Sequence, residues 1–86
     1  MEIIKEFSKN RTGYIFVLRT KTYACTLEHF VMLHREAEKD FGHISPQDVK
    51  IVMYGGDRYR RMMGVEFTGA QKPPACYSER ELIETI

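Results

Sequence analysis

Cysteine is scarce in this chain of 86 residues, with only Cys25 and Cys76 present. Two thiols without CxxC spacing cannot build the disulfide framework of a small secreted domain, so both are expected to be free. Long apolar runs are also missing. The longest, Tyr14 to Leu18, falls far short of the roughly 20 residues a membrane-spanning helix needs. The opening Met1-Glu-Ile-Ile-Lys lacks a charged leader followed by an apolar stretch. Together these absences lead to the expectation of a cytoplasmic protein with no membrane association. The Asn10-Arg11-Thr12 sequon has no secretory context and carries no weight.

Charge of one sign is not in excess. The net charge is +1, which excludes the strongly basic balance of a typical nucleic-acid-binding domain. No internal repeat, low-complexity tract or long linker divides the chain, so residues 1–86 are read as one domain. Its core must be thin, because so short a chain hides only about 60% of its extended surface on folding.

Groupings that would bind metal or drive nucleophilic chemistry are wanting too. His29 and His34 are five apart, about 140° around a helix, and cannot grip one ion as an i, i+4 pair does. His34 reads as a hydrogen-bonded core histidine and His43 as a charge at a helix C-terminus. Cys25 reads as a buried apolar thiol. Gly55-Gly56 is too short for a phosphate loop and has no helix after it. No enzyme activity, metal or cofactor is expected.

What is present is a clear alternation of periods. Thr26 to Phe41 repeats every 3.6 residues: Leu27, Phe30, Leu33, His34, Ala37 and Phe41 share one side, with Val31 at its edge. Thr26 stands at the N-cap, Glu28 near the positive end of the dipole, and Gly42 where a left-handed cap belongs. Ahead of this helix, Ile3 to Phe7 reads as a short edge strand. A loop over Ser8 to Gly13, in which Asn10 and Gly13 can take positive φ, leads to the stronger strand Tyr14 to Ala24. After the helix come Val49 to Tyr54 and Arg58 to Thr68, joined by Gly55-Gly56-Asp57. Pro73-Pro74 ends the sheet, and Ser78-Glu79-Arg80-Glu81 reads as a capping box opening a short C-terminal helix. The order β-β-α-β-β predicts an α+β two-layer sandwich: a four-stranded, mostly antiparallel sheet with one main helix and a short C-terminal one.

Charge follows the same division. Residues 1–24 carry five cations and two carboxylates, and residues 49–72 the same. Residues 25–48 carry two and five, and residues 73–86 one and three. The strand-forming parts are basic and the helix-forming parts acidic, which predicts a molecule with two electrical faces.

The densest cluster is Tyr54-Gly-Gly-Asp-Arg58-Tyr59-Arg60-Arg61. Alternation places Arg58 and Arg60 on the open sheet face with Lys50 and Tyr54, and Arg19, Lys21 and Tyr23 on the same layer. Guanidinium and ammonium groups hold phosphates and tyrosines stack on bases. The expected function is therefore a non-enzymatic nucleic-acid-binding module, with RNA as partner, using Arg19, Lys21, Tyr23, Lys50, Tyr54, Arg58, Tyr59, Arg60 and Arg61. The alternative is a small protein-binding inhibitor or adaptor in which the same arginines meet acidic side chains and Met32, Met62, Met63 and Tyr59 form the apolar centre. A thin core and opposed charge layers also predict self-association, as a dimer.

Overall fold

The computed structural model describes residues 2–22, 25–54 and 62–81. Strand β1 (Ile3–Lys9) and strand β2 (Tyr14–Thr20) precede helix α1 (Leu27–Phe41). A single 3-10 turn (Pro46–Asp48) follows, then β3 (Lys50–Tyr54), β4 (Met62–Gly69) and the two-residue β5 (Ser78–Glu79). The fold is α+β, with one α-helix among the described residues and a mixed sheet in the order β3-β4-β2-β1-β5.

Three expectations about this architecture are corrected. The sheet has five strands, and the fifth arises where a C-terminal helix was expected. Ser78-Glu79 pairs parallel with β1, and the Arg80 N–H donates to the Phe7 carbonyl at 2.9 Å. A capping box gains two hydrogen bonds, whereas here the same residues satisfy the open edge of β1 while Tyr77, one residue earlier, is buried in the core at 5% exposure. Tertiary burial outweighs the local signal. The last part of the expected helix, residues 82–86, lies outside the described residues. For the same reason β1, expected as an edge, has neighbours on both sides.

The helix begins and ends where its residues dictate. The Thr26 side chain accepts from the His29 N–H at 3.4 Å. The His29 ring nitrogen Nδ1 accepts from the Thr26 N–H at 3.3 Å. This is a reciprocal box in which histidine stands in for glutamate. Gly42 closes the other end at φ 81°, where a β-carbon would be strained, and its N–H donates to the Glu38 carbonyl at 2.8 Å. In the β1–β2 hairpin the Asn10 side-chain carbonyl accepts from the N–H groups of Thr12 and Gly13 at 3.0 and 2.8 Å. Neither Asn10 nor Gly13 takes positive φ, so this loop is closed by a side chain and not by the left-handed backbone expected of it.

Registers assign the faces. Ile3, Lys5 and Phe7 pair with Thr20, Leu18 and Phe16, and this layer meets α1. Its core is Phe16, Leu18, Leu33, Ala37, Val65, Phe67 and Tyr77. The rings of Phe16 and Phe41 have centroids 4.4 Å apart, and each lies between 5.1 and 5.6 Å from the rings of Phe67 and Tyr77. Met63 and Met32, assigned to the apolar centre in the alternative protein-binding reading, belong to the core side instead: Met63 is buried at 8% exposure and Met32 packs against the cluster. His34 is the hydrogen-bonded core-side histidine that its position predicts, with Nε2 2.7 Å from the Ile44 carbonyl. His43 is exposed and lies 3.2 Å from a Glu38 carboxylate oxygen.

Candidate functional site

Of the nine residues singled out from the sequence, Arg19, Lys21, Lys50 and Tyr54 are described. Tyr23, Arg58, Tyr59, Arg60 and Arg61 lie outside the described residues. The sheet does bring Arg19 and Tyr54 together. Arg19 pairs with Gly64 across β2 and β4, and Val52 pairs with Gly64 from the other side. Gly64 has no side chain to fill the gap, and the Tyr54 ring leans over it. A β-carbon there would stand 2.6 Å from Tyr54 Cε2. The ring in turn has the Arg19 guanidinium 5.7 Å and the Arg80 guanidinium 5.9 Å from its centroid, both within cation–π range.

Charge in this cluster is largely matched from within the chain. Glu6 is placed on the same face by β1, and its carboxylate lies 3.3 Å from Arg19 and 3.5 Å from Arg80. Arg80 also donates to the Tyr54 hydroxyl at 3.1 Å. Its carbonyl accepts from the buried Ser8 hydroxyl at 3.2 Å, which fixes the chain after β5 against β1. Burial raises the Tyr54 phenol above its usual value, partly opposed by Arg80. Lys21 lies 3.4 Å from Glu2, both well exposed. Lys50 sits opposite Glu66 across β3 and β4, without a close ion pair.

The sequence reading missed Glu6 and Arg80. Glu6 was legible in β1's alternation, which sets it between Ile4 and Ser8 on the layer of Arg19. Arg80 was assigned to a helix, so nothing local placed it on the sheet. The division into a basic and an acidic layer is likewise crossed by an ion pair. Lys5 points from β1 toward the helix and meets Asp40 at 2.8 Å and Glu36 at 3.6 Å. The Tyr77 hydroxyl donates to the same Asp40 carboxylate at 2.9 Å.

A second surface has a different character. Among the described residues β3 is an edge strand, and Ile51 and Met53, which pair with Val65 and Met63 on the helix side, are 53% and 46% exposed. Leu27 and Val31 on α1 are 76% and 38% exposed. Turning 100° per residue, Leu27, Val31, His34 and Glu38 line one flank of α1. That flank faces the approach to β3, because His34 meets the Ile44 carbonyl and Glu38 accepts from the Ile44 N–H at 3.2 Å. Phe41 packs on Phe67, at the far end of β4 from Met63. The helix N-terminus and Met53 therefore share one end of the molecule, where Leu27 and Val31 line a shallow groove on the outer side of α1 with Met32, Arg35 and Lys39.

Cys25 and Cys76 are both free thiols, Cys76 exposed. Among the described residues no group of three metal-ligating side chains is assembled, and no helix is long and apolar enough to cross a membrane. Comparisons with protein-family models, curated proteins and solved structures find no match for this chain.

Proposed function

We propose that this chain is a non-enzymatic protein-binding module that engages its partner through the β3 edge and the adjoining flank of α1, in a reducing compartment such as the cytoplasm. One observation carries this reading: Ile51 and Met53 stand exposed on a strand that has a neighbour on one side only among the described residues, and Leu27 and Val31 stand exposed on α1. Apolar surface gathered next to an unpaired strand edge is the usual chemistry of partner recognition. The apolar centre is thus carried by Ile51 and Met53, since Met63 is in the core. The reading also fits the matched charges around Tyr54, which leave Arg19 and Arg80 less available to phosphates, and the two free thiols fit the compartment.

Affinity capture with nuclease-treated extract, comparing the natural chain with an Ile51→Lys, Met53→Lys variant, tests it. A stoichiometric protein retained by the first and lost from the second is expected. Equal retention by both, or no protein with either from a natural chain that also does not self-associate, overturns the assignment of this surface.

Nucleic-acid binding is a second reading, favoured by the Arg58-Tyr59-Arg60-Arg61 run that joins β3 to β4. It requires retention of RNA that falls steeply as salt rises. Absence of retention at low salt removes it.

A further inference from the structure

We propose that the occupant of the β3 edge is a second copy of the chain, joined antiparallel about a two-fold axis at Val52 so that the two sheets continue into one. This rests on the protein-binding reading above and names the partner.

The strand itself argues for self-pairing. β3 is Lys50-Ile51-Val52-Met53-Tyr54, with β4 on one side and no strand on the other among the described residues. Its middle three residues carry neither proline nor charge, two devices that keep an edge from pairing, and its single lysine stands at one end. Antiparallel pairing about Val52 sets Val52 against Val52, Ile51 against Met53 of the other copy, and Lys50 against Tyr54. Every apolar residue meets an apolar one, and no cation stands opposite a cation. The two Lys50 groups stand four residues apart along the strand, about 14 Å, beyond the screening length of roughly 8 Å at physiological salt. A shift of the axis to Ile51 would bring each Lys50 opposite the other copy's Val52, and would leave Tyr54 unpaired.

The flank argues for the same partner. An axis perpendicular to the sheet keeps both helices on one side of it. Ile51 and Met53 of both copies then form one continuous apolar strip on the helix side of the joined sheet. A five-residue strand is only about 17 Å long, so the interface is smaller than the roughly 800 Å² per partner of stable complexes. A dissociation constant on the order of 10 μM is the matching expectation.

Cysteine pairing tests the register. Directly opposed residues of antiparallel strands have Cα atoms about 4.5 to 5.5 Å apart, inside the range a disulfide spans, and diagonal neighbours fall outside it. In a Cys25→Ser, Cys76→Ser background, Val52→Cys should form a covalent dimer under mild oxidation. Ile51→Cys and Met53→Cys should each stay monomeric alone and cross-link when mixed. Sedimentation of the natural chain from 1 μM to 1 mM should show a monomer–dimer equilibrium that Ile51→Lys weakens at least tenfold, with an unchanged circular dichroism spectrum confirming that the variant folds. A natural chain that stays monomeric throughout, or cross-linking of Ile51→Cys with itself as readily as Val52→Cys with itself, overturns the proposal. Monomeric behaviour with Ile51-dependent capture of another protein would remove the second copy and leave the protein-binding reading standing. Failure of both removes the two together.

Discussion

Glu6 is the residue on which the sheet's open face depends. Its carboxylate is 16% exposed and faces two guanidinium groups, so its charge offsets theirs in a partly desolvated setting. Glu6→Gln keeps the shape and removes the charge. A loss of about 1 to 3 kcal/mol in urea unfolding is expected, because Arg19 and Arg80 are left uncompensated. The same variant discriminates between functions. Retention of RNA should rise if the face serves polyanions and stay at background if the module binds protein only. Gly64 matters at this scale for a different reason: its missing side chain is the seat of the Tyr54 ring.

Among the elements, β5 shows how a two-residue strand is held. Tyr77 inserts beside Phe16 and Phe41, and its hydroxyl donates to Asp40, which also receives the Lys5 ammonium. Tyr77→Phe leaves the ring contacts and removes one hydrogen bond to a charged acceptor. Chemical unfolding should register a loss of about 1 to 2 kcal/mol, with hydrogen exchange of the Arg80 amide quickening more than that of β2. The helix, by contrast, is signed at both ends by its own residues. Its Thr26–His29 box and Gly42 cap work locally, which is why the boundaries could be read from the sequence to within a residue.

For the whole molecule, the ionisable groups that tie the layers together set a limit at alkaline pH. Burial, then the hydrogen bond and charge of Asp40, raise the Tyr77 phenol well above its usual value. For Lys5, burial pulls the ammonium down, but the hydrogen bond and charge of Asp40 outweigh it and the net shift is upward. Both groups have folded values above their unfolded ones. Their contribution to stability is therefore complete below the unfolded values, about pH 10, and is lost as pH rises through the folded ones. The melting temperature should hold steady up to about pH 9.5 and drop beyond it, more gently in Tyr77→Phe. A midpoint unchanged to pH 11.5 would rule out this linkage.

Period and punctuation decided by themselves that the chain is α+β, that Leu27 to Phe41 is its helix, and that hairpins lie on either side. These depend on residues a few positions apart. What the tertiary structure alone decided is who neighbours whom: the order β3-β4-β2-β1-β5 puts Ile51 and Met53 on the end strand of the described sheet and places Glu6 between two arginines, one of them from a segment whose local signal was helical. Such pairings join residues as far apart as Glu6 and Arg80, and no short-range preference encodes them, because they follow from which strands must meet to bury one thin core.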